Sequence, residues 1–293
     1  MNSLRYVGTA DNALTTEQGQ YINSQVKEAA RRTFQGRKLF GASVRKIDSG
    51  AQTYGYDTLT HGSAAAFDFT YPGKESVDAV NLARTTVAIP NIHKEFHISK
   101  LDLASSRMSG TPLNTTQAES SAYKVAYAED AMLIKGWSQD GTTYEVNGLY
   151  AAAGNTDSGA DWATATNIVA SIQDGIALLE ADNIFAPYNL VVHPDQHADM
   201  LELISNTAVT YEQLVTQMLR GGQIYVTPAM TATTAMLTAA NPNGAFEYVL
   251  AEDVTTVTEV QGVAQGEGLF GRVYVRGLPV VYDSNAICTL TSI

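Results

Sequence analysis

The 293-residue chain is poor in the residues that hold small folds together and in those that do most enzymatic chemistry. Its single cysteine, Cys288, excludes an intrachain disulfide and fits a reducing compartment. Charged residues make up 16% against 45% apolar, below the roughly one quarter usual for soluble domains. A surface so short of charge is expected to be covered in part by partners. Basic residues nearly disappear after position 135. Residues 1–135 hold 15 of the 18 Lys and Arg against 13 of the 30 Asp and Glu, a balance of +2, while residues 136–293 carry −14. Two unequal electrostatic faces suit a protein with an inside and an outside. No apolar run approaches the roughly 20 residues that span a bilayer, so no membrane partner is expected. The opening Met1-Asn-Ser-Leu-Arg-Tyr6 lacks the apolar centre of a signal peptide, so a cytoplasmic origin is expected.

Catalytic signatures are missing as well. There is no Gly-x-Ser-x-Gly elbow and no Walker-type phosphate loop. Gly266-Glu-Gly-Leu-Phe-Gly271 matches a dinucleotide fingerprint by letter, but such a motif must open a helix. The next stretch, Val273-Tyr-Val-Arg-Gly-Leu-Pro-Val-Val281, can only be strand, so a turn is expected there. His93 with His97, and His193 with His197, have a spacing that aligns metal ligands on a helix; Pro90 and Pro194 put both pairs at strand or strand-end positions. Glu129-Asp130 and Glu252-Asp253 are adjacent and diverge, so they cannot flank one substrate bond. Glu129-Asp130 is expected to pair with Lys135 or with a neighbouring chain. No catalytic, cofactor or metal site is expected.

Thr15 and Gln18 have capping-box spacing, and Ile22, Val26, Ala29, Ala30 and Phe34 recur at helical period, predicting a helix over about 15–35. In 43–72, Tyr54 and Tyr56, then Phe67, Phe69 and Tyr71, alternate with polar residues, the period of two extended arms. A hairpin is marginal alone in water and should lie on another surface, its own domain or a neighbour. Val87 to Leu103 reads as strand and turn broken at Pro90. Thr116-Gln-Ala-Glu119 opens a stretch without Gly or Pro up to Gly136, predicting one helix of about 20 residues, ~30 Å long. Gly141–Trp162 is a loop with a short hairpin. Next come a helix over about 164–182, a strand at Tyr188–His193, a helix begun by Pro194 and another around 210–219. The rest is β: Ala235–Ala239, an Asn243-Gly244 hairpin turn, Phe246–Ala251, Thr255–Val263, Leu269–Arg276 and Leu278–Asp283.

Three segments carry a resemblance: Lys124-Val-Ala-Tyr-Ala-Glu-Asp-Ala-Met-Leu-Ile-Lys-Gly136, Tyr188-Asn-Leu-Val-Val-His-Pro-Asp195 and Leu219-Arg-Gly-Gly-Gln-Ile-Tyr-Val-Thr-Pro228. With Leu14-Thr-Thr-Glu17 and Gly36-Arg-Lys-Leu-Phe40, in this order and spacing, the chain resembles the encapsulin (linocin-like) family. That family shares the Hong Kong 97-type fold of tailed-virus major capsid proteins. The resemblance implies an α+β capsid fold. Residues 1–42 would be an N-terminal arm and helix on the lumenal side, and 43–72 an E-loop. Residues 73–136 and 235–293 would form a P-domain with a spine helix at about 115–136, and 137–234 an A-domain at the symmetry axes.

The implied function is self-assembly into an icosahedral shell of hexamers and pentamers, with no cofactor. Tyr54, Tyr56, Phe67, Phe69 and Tyr71 would be intersubunit E-loop residues, and Ser205, Asn206 and Thr207 an axial pore turn. Lys27, Arg31, Arg32, Arg37 and Lys38 would form a lumenal basic cluster that suits phosphate neutralisation. That cluster, the Ala-, Thr- and Gly-rich texture and the low charge favour the major capsid protein of a tailed virus enclosing double-stranded DNA, located in the virion after assembly in the host cytoplasm. The alternative is an encapsulin nanocompartment in the cytoplasm, holding a cargo enzyme through a short peptide bound in an apolar groove beside the N-terminal helix.

Overall fold

The computed structural model describes residues 16–33, 35–60, 81–109, 115–141, 143–205, 208–240, 244–259 and 268–293. The chain opens with α1 (Thr16–Thr33) and α2 (Gly36–Phe40), then β1 (Val44–Lys46). A two-stranded ribbon comes next, β2 (Thr53–Thr60) antiparallel to β3 (Asn81–Ala88), before β4 (Asn91–Ser99) and α3 (Lys100–Ser109). The spine helix α4 (Thr116–Ile134) is close to the length read from the sequence, about 28 Å at 1.5 Å per residue. Its N-cap is Thr115, one residue before the expected start, and the Thr115 hydroxyl donates to Glu119 rather than capping a backbone N–H.

Two sheets organise the remainder of the chain. One is ordered β1-β11-β12-β4, where β11 is Phe246–Glu259 and β12 is Gly268–Val281. The other is ordered β7-β13-β10-β8-β9. Its strands are β7 (Asn155–Ser158), β8 (Tyr188–Val192), β9 (Ile224–Val226), β10 (Thr234–Ala239) and β13 (Ile287–Thr291). Between them in sequence come the small pair β5 (Gly136–Trp137) and β6 (Val146–Asn147), then α5 (Thr166–Ala181), α6 (Pro194–Met200) and α7 (Tyr211–Met218).

The central strands of the five-stranded sheet have a side for each of two cores. On β8, Val191 joins Phe246, Met236 and Ile287 in the core built on the spine helix. Its neighbours Leu190 and Val192 join Leu237, Leu290 and the α5 residues Ile168 and Ile172 in a second core. Alternation at period two with both faces covered is why Leu190–Val192 reads as an uninterrupted apolar run inside a fully buried strand. At Gly175 of α5 an added Cβ would lie 2.7 Å from Leu237 Cδ1, so glycine lets the helix sit directly on the sheet. At Gly222 it would lie 1.5 Å from the Tyr188 carbonyl oxygen, and Gly221 has φ +100°; the paired glycines therefore end α7 and turn the chain tightly into β9.

Several expectations are corrected. The closing segment 235–293 is divided: β10 and β13 complete the five-stranded sheet, because Ala235, Leu237, Cys288 and Leu290 fill the second core. Gly244 therefore does not close a hairpin; it lies on the crossing from β10, flanked by β8 and β13, to β11 in the other sheet. The four strands expected between 246 and 283 are two long ones, with register shifts at Leu250/Glu252 and Glu252/Thr255 where a break was read. Pro279 fits inside β12 because β4 pairs only as far as Arg276, so its missing N–H faces no lost ladder bond on that side. Among the described residues the partner of β2 is 81–88, so the ribbon runs past the 43–72 bounds expected for the extended arms. Helix α3 replaces part of the strand-and-turn reading. Ser99 marks it, its hydroxyl accepting from Asp102 N and donating to the Asp102 carboxylate.

Candidate intersubunit and lumenal surfaces

The first surface is the ribbon. Its residues alternate, placing Tyr54 and Tyr56 on one face of β2, and that face turns toward the chain's own body. The Tyr54 hydroxyl donates to Glu247 at 3.0 Å, and the Tyr56 ring meets Tyr282 edge-on at 5.6 Å. Two of the three expected E-loop tyrosines are thus engaged within the chain, and an intersubunit role for the described part of the ribbon has to rest on other residues. Its exposed side offers Leu82, 65% accessible, with an Asp57–Arg84 cross-strand ion pair at 2.8 Å. Phe67, Phe69 and Tyr71 lie outside the described residues.

The second surface is the N-terminal region. Ile22 and Val26 of α1 are buried in the spine-helix core, and Lys27 points outward. Of the expected lumenal cluster, Lys27 and Lys38 are exposed, and the side chains of Arg31 and Arg32 lie outside the described residues. Arg37 is placed differently. Its Nε donates to Glu129 at 2.7 Å and its Nη1 to Asp253 at 2.7 Å, and its guanidinium carbon lies 5.7 Å from the Tyr248 ring centre. Arg37 holds the fold together, so it is not available to phosphate in the way a lumenal cluster requires.

The carboxylates that receive Arg37 and its neighbours correct another expectation. Glu129 and Asp130 are buried within the chain and bind α2 and its surroundings rather than Lys135. Glu129, with no exposed surface, accepts from Arg37 and from the Tyr248 hydroxyl at 2.6 Å. Asp130 accepts from the backbone N–H groups of Gln35 and Gly36 through one oxygen and from the Thr227 hydroxyl, 2.9 Å away, through the other. Adjacent residues on a helix project about 100° apart, which is how the pair serves two elements at once. Burial pushes the Glu129 and Asp130 carboxyls above the usual carboxylate range, against the opposing pull of Arg37 on Glu129 and of the Gly36 N–H on Asp130. Burial, then Glu129, pushes the Tyr248 hydroxyl well above its usual value.

The third surface is the tip formed by 201–210. The backbone bridge Leu203–Thr210 closes it, Tyr211 N donates to Glu202 O, and the Thr210 hydroxyl caps α7 by accepting from Gln213 N. Ser205 is exposed there; Asn206 and Thr207 lie outside the described residues. Leu201 and Leu203 are 50% and 59% accessible, an apolar edge on either side of Glu202.

The described histidines hold no metal-like arrangement. His93 and His97 lie on β4, and His97 stacks at 4.6 Å on Phe270. His193 is the N-cap of α6, accepting from Asp195 N, and His197 lies 3.5 Å from Glu212. Among the described residues no group of three or more His, Cys, Asp or Glu could hold a metal ion, and no helix is long and apolar enough to cross a membrane. Gly268–Gly271 runs within β12, so the fingerprint-like letters open a strand. Sequence reasoning missed Glu129, Asp130 and Glu247 as structural centres. The signal was present for Glu247, a lone acid inside Phe246-Glu-Tyr-Val-Leu250.

Comparison with known proteins agrees with this architecture. Residues 5–257 match a family described as encapsulating protein for peroxidase (Linocin_M18). The chain is 26% identical to the type 1 encapsulin shell protein EncA of Myxococcus xanthus (strain DK1622) over 286 residues, 97% of this chain and 96% of the relative. It is 27% identical to a diheme-cytochrome-encapsulin shell fusion protein of Kuenenia stuttgartiensis over 216 residues, 73% of this chain and 58% of that one. A virus-like particle from Pyrococcus furiosus superposes with a TM-score of 0.65 at 15% identity, covering 94% of this chain and 99% of the other. The capsid of Myoviridae phage XM1 gives 0.64 at 14% identity, covering 86% and 90%. At such identities the superpositions speak for the fold alone. A mixed helix-and-sheet architecture of Hong Kong 97 type, matched end to end by an encapsulin shell protein, places this chain in the encapsulin (Linocin_M18) family of self-assembling, structural shell proteins.

Proposed function

We propose that the chain is the shell subunit of an encapsulin-type nanocompartment in the cytoplasm, closing an icosahedral shell of pentamers, with or without hexamers, around a cargo protein. The observation that carries this reading is the collinear match with a type 1 encapsulin shell protein over 97% of this chain and 96% of that one, without a large unmatched segment on either side. The ribbon would be the intersubunit arm and the 201–210 tip would lie near the symmetry axis, with Ser205, Asn206 and Thr207 at the pore. Its role is structural, with no chemistry of its own.

A tailed-virus capsid enclosing double-stranded DNA is the alternative, kept by the exposed Lys27 and Lys38 of α1 and α2. The loss of Arg37 to Glu129 and Asp253 weakens it, because each phosphate contact needs a cation not already neutralised. The test is purification of natively produced particles, with electron microscopy, the ratio of nucleic-acid to protein absorbance, and proteomics of the contents. Closed particles low in nucleic acid, carrying one abundant enzyme, are expected. Particles filled with duplex DNA would transfer the assignment to the virus. A chain that stays monomeric with every co-produced neighbour would end the shell reading.

A further inference from the structure

Among the described residues, the β2–β3 ribbon leans on the body through its root. Tyr54, Tyr56 and Val87 pack against the spine-helix core, while Asp57 and Leu82 to Thr86 are exposed. A cleft of about 360 Å³, lined by Tyr56, Val87, Leu278, Pro279, Val281 and Tyr282 among others, lies between ribbon and body. Apolar packing alone would let the ribbon rock over that space, because it is not directional.

Two directional ties meet at the root: the Arg276 guanidinium of β12 donates to the Ser49 and Ala51 carbonyls just before β2, and Glu247 gathers donors at the ribbon strand itself. Glu247 of β11 is 8% exposed and stands between Phe246 and Tyr248, where an apolar side chain would bury as well. One of its oxygens accepts from the Tyr54 hydroxyl at 3.0 Å and from the Tyr282 hydroxyl, and the other from Arg45 Nε at 3.1 Å. Arg45 Nη1 also donates to the Tyr54 hydroxyl at 3.3 Å. Arg45, Glu247 and Tyr282 belong to, or immediately follow, strands of the four-stranded sheet, a rigid base; Tyr54 belongs to the ribbon. Hydrogen bonds weaken steeply with misalignment, so donors converging from both bodies on one carboxylate fix an angle as well as a contact. The angle matters because the ribbon is a lever. Eight residues at about 3.4 Å each reach roughly 27 Å, so a swing of about 10° moves the far end by roughly 5 Å.

We propose that Glu247, with Tyr54, Tyr282 and Arg45, locks the angle at which the ribbon leaves the body and thereby sets the curvature and diameter of the closed shell. The inference rests on the shell reading above, in which the ribbon is the intersubunit arm. In a symmetric shell the same angle recurs at every equivalent contact, so a small local freedom becomes a spread of particle sizes. Glu247 acts as a positioning residue, and its effect is read in geometry rather than in stability.

The test uses the full-length chain, produced with any partner that wild-type assembly requires. The variant Tyr54→Phe with Tyr282→Phe keeps both rings, including the Tyr56–Tyr282 contact, and removes both hydroxyl donors. Arg272→Ala removes an exposed ion pair with Glu95 on the four-stranded sheet, away from the ribbon, and serves as the comparison. Particle diameters are measured by electron microscopy, and folding by circular dichroism. Wild type and Arg272→Ala should give one sharp diameter class. The double variant should fold and assemble with a clearly broadened distribution, a second diameter class or unclosed shells. Diameters of the double variant superimposable on wild type would overturn the inference while leaving the shell reading intact. If the double variant fails to assemble or to fold, the single variants decide: broadened sizes in either support the lock, and wild-type sizes in both refute it. A wild-type chain that forms no shell defeats the shell reading itself, and this inference with it.

Discussion

The buried carboxylate of Asp130 offers the sharpest test of how the N-terminal region is tied to the spine helix. Asp130 is 3% exposed, and its oxygens satisfy three donors: the N–H groups of Gln35 and Gly36 and the hydroxyl of Thr227, itself 1% exposed. Replacing Asp130 by Ala removes the acceptor and leaves the donors in place. Each buried donor left unpaired costs ~1–3 kcal/mol. Gln35 is only half-buried and finds water, so the loss comes chiefly from Gly36 and Thr227, about 3–5 kcal/mol in all, the size typical of removing one partner from a buried charged contact. Asp130→Asn keeps an oxygen toward Gly36 and Gln35 and offers its amide to the Thr227 oxygen, so its cost should stay near 1 kcal/mol. Because assembly makes global stability depend on concentration, the suitable assay is local: hydrogen exchange at the α2 amides, residues 36–40, in wild type and both variants. With about 1.4 kcal/mol per tenfold, Asp130→Ala should speed exchange there by roughly two to three and a half orders of magnitude and Asp130→Asn by about fivefold. Exchange in Asp130→Ala at the wild-type rate would show that α2 is held by Leu39 and Phe40 in the core alone and that the carboxylate contributes nothing.

Two further outcomes are expected from the same chemistry. Burial pushes the Cys288 thiol up to about 12, so native protein at mildly alkaline pH should react with an alkylating reagent far more slowly than denatured protein, as mass spectrometry would show; equal rates would place Cys288 at the surface. Burial acts to raise the Asp253 carboxyl, but the Arg37 hydrogen bond and charge outweigh it and hold Asp253 below the usual carboxylate range. Its contribution is therefore present above the unfolded value of ~4 and lost as pH falls through the depressed folded value, so Asp253→Asn should cost up to about 1 kcal/mol at neutral pH, discounted for exposure, and nothing in strong acid. A gap from wild type that widens on acidification in urea melts would refute that pairing.

The elements most legible in the sequence were those whose signal is local and uninterrupted. The spine helix could be read because nothing between Thr116 and Ile134 breaks a helix, and Tyr188–Val192 because Leu190, Val191 and Val192, covered on both faces, show no polar alternation. Where two local signals competed, tertiary context chose between them. Glu252, Asp253 and Gly277 look like strand breaks, yet β11 and β12 run through them, because a register shift absorbs the extra residues and Gly277 makes room for the Tyr248 ring, which an added Cβ would meet at 2.2–2.6 Å. Asn243-Gly244 carries a strong hairpin signature, but both neighbours of β10 are supplied by distant strands, which a dipeptide cannot announce.

Surface function was the least legible part, because residue type does not reveal whether a group's capacity is already used. Arg37 counts as one of five cations in a short basic stretch, and only its 2.7 Å contacts with Glu129 and Asp253 show that its charge is consumed internally. Tyr54 and Tyr56 fit the pattern of an exposed aromatic strip, and only Glu247 and Tyr282, about 190 to 230 residues away in sequence, turn them into a root that grips its own body. Both cases move in one direction. Arg37, Tyr54 and Tyr56, read as available to a neighbour or a polyanion, are already committed, while Leu82 on the ribbon, Leu201 and Leu203 at the tip, and Leu101, Met108 and Phe185 elsewhere stay exposed. Buried carboxylates tie down both the ribbon and the N-terminal region, Glu247 at the ribbon and Glu129 with Asp130 at α2. Their burial is why a count of charges along the sequence passes over them.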